Sequence, residues 1–355
     1  MALLHRLARS PWLRPLNDVA ALDDVLGQIH PTLAFGGIKA RVAAVLRETP
    51  DTCTFVLEPN WRWPGSLAGQ HVQLTVEIDG VRHQRTYSLS DAPTAAREVH
   101  VTVKRRSDGR VSTWLHDHLR VGCVVALSPP SGDFVLPDPP PPRLLMVSAG
   151  SGITPLMSML RDLARRRWTG DVVFVHACRT RADAIFGDEL AALARRWPAL
   201  SLHMRYSSES GRLDADALAA LVPDSARRHT LLCGPAAFMS AVRAHWHARG
   251  LAGRLQWEHF GLPAAVAPPG AAVAVRCLRS ERTFDTTGSE PLLLCAERAG
   301  LQPRHGCRVG ICHTCQCVKR SGVVENLLTG RVSSEPDEPI QLCISRARSD
   351  LVLEM

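Results

Sequence analysis

Cys307, Cys312 and Cys315 stand in the spacing C-x₄-C-x₂-C, and a fourth cysteine, Cys343, follows downstream. Two irons bridged by two sulfides need four thiolates. This run offers three from one tight loop and a fourth from an anchored segment, the spacing that holds a [2Fe–2S] cluster. Gly306 and Gly310 let backbone amides approach the sulfurs, which raises the potential by hydrogen bonding. Zinc is the competing metal. Its sites use two short ligand pairs, and an x₄ gap followed at once by x₂ suits them poorly. Cys317 stands either as a substitute ligand or as a spare thiol. A cluster of this kind carries one electron, so the chain must also provide a donor and face an acceptor.

Four further strings can hold the donor. In Arg85-Thr86-Tyr87-Ser88-Leu89-Ser90, an aromatic ring is followed by hydroxyls and preceded by a guanidinium. Tyr87 can pack on an isoalloxazine, Ser88 can reach its heteroatoms, and Arg85 can neutralise a pyrophosphate with its planar fork. Gly109-Arg110-Val111-Ser112-Thr113 runs from a glycine turn into a helix start, where free amides and the two hydroxyls suit a phosphate. Gly150-Ser151-Gly152-Ile153-Thr154-Pro155 follows an apolar strand and opens a helix, the arrangement that receives a dinucleotide pyrophosphate. It is not the six-residue Rossmann fingerprint. Cys233-Gly234-Pro235 repeats the device at the end of another expected strand.

These strings need a scaffold, and the patterning supplies one. Residues 1–38 form an N-terminal extension that begins MALLHRLARSPWLRPL, without an apolar core of signal-peptide length. Leu3, Leu4, Leu7 and Trp12 are spaced for a short amphipathic helix, read as packed on the next domain or as a docking helix. Between 39 and 137, short alternating runs broken by Gly, Pro and Asp predict a small antiparallel barrel around the R-x-Y-S string. The proline run 137–142 reads as a stiff polyproline-like spacer. From 138 to 263, apolar strands alternate with helical patterns, which predicts a parallel α/β domain around the two glycine turns. A linker at 264–270 leads to a cysteine-bearing domain at 271–355.

In that order and at those intervals, R-x-Y-S, G-x-x-S, G-S-G-I-T-P and C-G-P resemble the ferredoxin–NADP⁺ reductase superfamily. With the cysteine module behind them, the chain resembles reductases fused to a C-terminal ferredoxin, which serve oxygenases and fatty-acid desaturases. The resemblance implies a multidomain α/β and β fold: an antiparallel flavin barrel, a parallel α/β nucleotide domain and a β-grasp ferredoxin domain. It puts Arg85, Thr86, Tyr87, Ser88, Gly109, Val111, Ser112 and Thr113 on the flavin. Gly150, Gly152, Thr154 and Pro155 fall on the nucleotide, with Cys233, Gly234 and Pro235 beside the nicotinamide. Glu258 and Phe260, in QWEHFG, match the acid-x-aromatic end of the nucleotide domain. FAD is favoured over FMN. NADPH is favoured over NADH, with Arg179, Ser207 and Arg212 as candidates for its 2′-phosphate. The stretch Ser207-Ser208-Glu209 departs from the Ser-Arg usual in NADPH-specific members.

Length and composition bound the rest. A chain of 355 residues with 45% hydrophobic and 21% charged residues has room for two or three folded domains. Its eleven cysteines are irregularly spaced and do not read as a disulfide framework, which suits a reducing cytoplasm. Cys53, Cys123, Cys178, Cys277 and Cys295 lie in apolar runs and are expected as buried thiols. A net charge of +8 invites a nucleic-acid reading, but the basic residues are dispersed and lack interleaved aromatics. No run approaches the roughly 18 apolar residues of a membrane span. The expected activity is electron transfer from NADPH through flavin and cluster to an acceptor protein. A membrane acyl-CoA desaturase leads as acceptor, with a soluble ring-hydroxylating oxygenase or other monooxygenase as alternative and a redox sensor as a remote third. The expected location is the cytoplasm, with a peripheral membrane contact allowed for.

Overall fold

The computed structural model describes residues 19–94, 98–107, 109–260, 272–310 and 313–355. Leu3, Leu4, Leu7 and Trp12 lie outside them, so the expected amphipathic helix there is not described. A helix, α1 (Val19–Ile29), comes first. The Asp23 carboxylate accepts from the Phe35 amide at 2.6 Å and the Gly36 amide at 2.9 Å, turning the next loop back on the helix.

The alternating runs form β1 (Ile38–Thr49), β2 (Thr52–Pro59), β3 (His71–Ile78), β4 (Val81–Ser88), β5 (Val99–Lys104) and, after helix α2 (Arg110–His118), β6 (Val124–Leu127). They make one six-stranded antiparallel sheet in the order β4-β3-β6-β1-β2-β5. An isolated bridge from Leu89 to Val101 returns the end of β4 to β5, curling the sheet into a barrel. Strand alternation sends Val72, Leu74 and Val76 inward with Ala40, Val42, Phe55 and Leu57, all buried in one core with Leu115 of α2.

The next strands are β7 (Arg143–Ala149), β8 (Asp171–Cys178) and β9 (Leu200–Tyr206), parallel and in register. Between them lie α3 (Ile153–Arg165) and α4 (Gly187–Arg196). A single-turn helix α5 (Ser207–Ser210) and α6 (Ala215–Leu221) precede β10 (His229–Gly234), then α7 (Ala236–Ala248) and β11 (Leu255–His259). The sheet order is β11-β10-β7-β8-β9. β7 and β8 are buried along most of their length, as strands covered on both faces must be. The proline run before β7 bends at residues 138, 139 and 142 and is not a regular polyproline segment.

The remaining chain gives β12 (Val273–Cys277), β13 (Arg282–Thr286), α8 (Leu292–Arg298), β14 (Gln316–Ser321), β15 (Val324–Asn326), β16 (Val332–Ser333), β17 (Glu338–Gln341), β18 (Ser345–Ala347) and β19 (Leu351–Leu353). Its main sheet runs β13-β12-β19-β14-β17, with β12 and β19 parallel and the other pairs antiparallel. β15, β16 and β18 form a small second sheet. Leu292, Leu293 and Ala296 on α8 pack into a core with Val275, Ile340, Leu351 and Leu353.

Two compact units divide the chain within β10: residues 1–212 with 224–231, and residues 213–223 with 232–355. In the first, α3 ties the barrel to the parallel sheet. Ser158 donates to the Asp91 carbonyl at 2.6 Å and accepts from the Gly69 amide at 3.3 Å. Gly69 has φ 102°, and a Cβ there would lie 2.3 Å from the Phe134 carbonyl oxygen, so only glycine permits this approach. Arg161 donates to the Ser90 carbonyl at 2.5 Å and forms a two-pronged pair with Glu189. In the second unit, His245 meets Asp216 at 3.2 Å, fastening α7 to α6.

Ser148 and His176 face each other across β7 and β8, fully buried, with the hydroxyl 2.8 Å from Nδ1. Burial lowers the His176 pKa from 6.5 to about 4, with Lys104 adding to the shift. Because the folded value lies below the unfolded one, stability is complete above pH 6.5 and is lost as pH falls toward 4. The shift corresponds to about 3 kcal/mol. Urea unfolding of His176→Gln between pH 7 and 4.5 should show a flatter loss than the parent; an identical slope would contradict this origin.

Candidate flavin, nucleotide and thiol sites

β4 ends in the R-x-Y-S string because its pairing with β3 continues to the Ser88–His71 pair. Thr86 and Ser88 share one face of the strand. Both hydroxyl oxygens are buried and have no hydrogen-bond partner among the described residues. Such orphaned groups are costly unless a ligand completes them. The Tyr87 ring packs partly on the barrel core, and burial holds its phenol protonated, well above the ordinary value. Arg85 donates through Nη1 to the Gln84 carbonyl at 2.7 Å, and among the described residues no carboxylate pairs with it. This donor set fits a flavin.

The second string differs from the expectation. Gly109 is the N-cap of α2, but it provides no side-chain cap. Ser112 Oγ donates to the Gly109 carbonyl and accepts from the Arg106 amide, both at 3.2 Å. Thr113 Oγ1 donates to the Arg106 carbonyl at 3.2 Å. The two hydroxyls therefore close the turn from within, and the Gly109 amide also donates to the Arg106 carbonyl at 3.0 Å, so the first-turn amides of α2 are the anion donors. Thr154 behaves likewise: its hydroxyl donates to the Ser151 carbonyl at 3.1 Å. In the glycine turn after β7, Gly150 has φ 54° with open space where a Cβ would stand. Gly152 and Pro155 are buried, setting the first turn of α3.

Beyond β8, Arg179 is 82% exposed and lies 3.6 Å from Asp183. Arg212 is exposed, and Ser207 opens α5. The residue that the sequence reading missed is Arg181. Its guanidinium lies 4.8 Å from the Tyr206 ring centroid and 3.2 Å from Glu209. The signal was available in part, since Tyr206 pairs with Cys178 at the carboxyl ends of neighbouring parallel strands.

In the second unit, Cys233 is the penultimate residue of β10 and fully buried, and Pro235 N-caps α7. The Gly234 amide donates to Met239 Sδ at 3.2 Å. Burial, reinforced by the charge of buried Glu258 on β11, pushes the Cys233 thiol well above its ordinary value. Phe260, just past β11, is half-buried.

The thiol loop turns through left-handed residues at Arg308, Gly310 and His313. Arg308 is pinned by Glu297, at 2.9 Å, and by His305 Nε2 at 2.8 Å. Gln341 Nε2 donates to the Gly310 carbonyl at 2.8 Å. Cys307, Cys315 and Cys343 are buried, and the Val309 amide lies 3.4 Å from Cys307 Sγ. The hydrogen bond to Cys315, burial and the nearby Cys307 drive the Cys343 thiol far upward, while the Gly310 amide opposes this. Cys312 lies outside the described residues. Among the described residues no three side chains converge as a completed metal centre. Crowded thiols with amides turned toward them are nevertheless the donors that a thiophilic cation needs. Elsewhere Cys53, Cys277 and Cys295 are buried as expected, whereas Cys123 and Cys178 are partly exposed.

Residues 40–136 match the family described as oxidoreductase FAD-binding domain, and residues 146–244 match oxidoreductase NAD-binding domain. An antiparallel FAD-binding barrel before a parallel NAD-binding sheet defines the ferredoxin–NADP reductase superfamily, and this chain belongs to it. It is an NAD(P)H oxidoreductase. It is similar to the NADPH oxidoreductase of Mycobacterium tuberculosis (39% identical, over 98% of this chain and 94% of that protein). It is also similar to the glycine betaine monooxygenase reductase subunit of Chromohalobacter salexigens (33% identical, over 90% and 95%). Among solved structures, phthalate dioxygenase reductase, titled a modular structure for electron transfer from pyridine nucleotides to [2Fe–2S], superposes with TM-score 0.62 at 26% identity, over 90% of this chain and 98% of that one. Two of these three names state an oxygenase and none a desaturase, so they favour the alternative acceptor over the leading expectation. Among the described residues no helix is long and apolar enough to cross a membrane.

Iodoacetamide at pH 8 should label partly exposed Cys123 in the folded protein and leave Cys233 unlabelled until denaturant is added. Early labelling of Cys233, read by peptide mass spectrometry, would contradict its burial.

Proposed function

We propose that the chain is the reductase component of an oxygenase system, passing electrons from NAD(P)H through FAD and a [2Fe–2S] cluster to a separate terminal oxygenase. The observation that carries this reading is the gathering of Cys307, Cys315 and Cys343 in the same chain as FAD- and NAD-binding domains. The names of the betaine monooxygenase and phthalate dioxygenase reductases support the choice of acceptor. When bound, a flavin would supply hydride acceptance from the nicotinamide and a cluster would supply onward transfer of single electrons.

The protein's own contribution is binding and orientation. Thr86 and Ser88 offer their unpartnered hydroxyls to the polar edge of the isoalloxazine, and the protonated Tyr87 phenol acts as a donor. Arg85 and the amide of Val111 face the flavin's phosphates, and Gly109, whose own amide donates to the Arg106 carbonyl at 3.0 Å, shapes the turn. The Gly150–Gly152 turn, with Thr154 and Pro155 shaping it, takes the nucleotide pyrophosphate. Gly234 and Pro235 shape the turn beside the nicotinamide, where Cys233 presents a neutral thiol held so by burial and Glu258. Glu258 and Phe260 supply the acid-x-aromatic pair at the end of the nucleotide domain. Cys307, Cys312, Cys315 and Cys343 ligate the cluster, in a C-terminal domain of ferredoxin type.

NADPH is the preferred donor, as the name of the mycobacterial relative supports. Arg181, already stacked on Tyr206, is the cation best prepared for a 2′-phosphate, with Arg179, Ser207 and Arg212 around it. Replacing it by Ala should raise the KM for NADPH about tenfold while changing that for NADH little, since one charge-assisted contact is lost. Equal effects on both nucleotides would exclude this role.

The purified holoprotein should reduce both ferricyanide and cytochrome c with NADPH. Cys343→Ser should lose cluster absorbance and cytochrome c reduction and keep ferricyanide reduction. Substrate oxidation restored by the host's soluble fraction would identify an oxygenase acceptor. Acyl-chain desaturation restored by washed membranes would instead return the acceptor to a membrane desaturase.

A further inference from the structure

One cation in the second unit is used by neither the flavin nor the nucleotide. Arg243 is half-buried on α7, one turn from Met239 and Trp246 and at the margin of the face that buries them with Val242. Its guanidinium sits 3.7 Å from the centroid of the Trp257 ring on β11. Nη1 donates to the Leu328 carbonyl at 3.1 Å. Among the described residues no carboxylate forms an ion pair with it, and burial alone lowers its pKa. A guanidinium taken from water without a counter-charge must recover the loss through directed contacts. Here an aromatic face and one backbone carbonyl do so.

The carbonyl it reaches is held in place. The Asn326 side chain accepts from the amides of Leu328 and Thr329 at 2.9 and 3.1 Å. The Leu327 amide donates to the Ile344 carbonyl at 2.7 Å, and the Gly330 amide to the Asn326 carbonyl at 2.8 Å. The Leu328 side chain touches the thiol loop: a Cβ on Gly310 would meet Leu328 at 3.0 Å and Ile344 at 2.9 Å. One helix thus begins at the Cys233-Gly234-Pro235 turn and, two turns later, grips the turn that packs on the cysteine loop.

We propose that Arg243 is a positioning residue that latches the thiol loop to the nucleotide-domain helix through the Leu328 carbonyl and the Trp257 ring. This rests on the cluster reading above for its consequence, and on contacts within one unit for its existence. Breaking the latch lets the 326–331 turn and the thiol loop move away from α7. Electron arrival at the cluster then slows, while hydride uptake from the nucleotide continues.

The test compares the holoprotein with Arg243→Met, which keeps apolar bulk over Trp257 without donors, and Arg243→Lys, which keeps the charge and a donor. Hydrogen exchange across 326–331 should quicken at least about fivefold in the Met variant and less in the Lys variant, as expected when a charge-assisted hydrogen bond and a cation–π contact are lost. NADPH-driven bleaching of the cluster band should slow by a similar factor, with ferricyanide reduction unchanged. Unaltered exchange in the Met variant overturns the latch. So does a parallel loss of ferricyanide reduction, which would mark a general defect of the nucleotide domain. If the parent protein shows no cluster band, the cluster reading fails and exchange alone decides on the latch.

Discussion

The first unit depends on a guanidinium that crosses from one domain into the backbone of another. Arg161 leaves α3, pairs with Glu189 on α4 and donates to the Ser90 carbonyl just past β4. Its guanidinium also lies 4.7 Å from the Phe186 ring centroid. Side-chain hydrogen bonds to charged donors are strong when the donor is partly buried and its fork fully used. With Ser158 bonded to the Asp91 carbonyl, the contact fixes the end of the R-x-Y-S strand relative to the helix that begins at Gly152. The neighbouring Asp91 carboxyl shows the cost of this close packing: burial pushes it up to about 6, although the His100 amide donates to it.

The parts of this arrangement that could be read from the sequence share a property: they are local. The C-x₄-C-x₂-C spacing, the glycine turns and the alternation of 39–137 each express a constraint acting within a few residues, and the barrel and the parallel sheet follow from them. What could not be read is of two kinds. The Ser112, Thr113 and Thr154 hydroxyls are spent on their own turns, because a short hydroxyl side chain serves a nearby carbonyl as readily as a ligand. Arg181 and Arg243 are the opposite case. Each finds its aromatic face through pairing across the fold, and nothing in their immediate neighbours marks them out.

The same contrast explains why the acceptor was harder to read than the donor. A flavin and a nucleotide are met by local backbone turns, whereas an acceptor protein meets a surface whose fit depends on residues scattered through the chain. The relatives therefore add what the strings cannot: two of the three similar proteins described above are named for the oxygenase that they serve.

β19 lies between β12 and β14 in the C-terminal sheet, with β12 as its parallel neighbour. The centre of that sheet is thus filled by residues made long after the strand beside which they lie. Such late, distant pairing slows folding. During synthesis, Cys307 and Cys315 emerge before the strand that completes their domain, and they spend that interval as accessible thiols. Oxidation competes with folding for them in this interval, so the yield of intact thiols depends on the redox conditions during translation as well as on the finished fold.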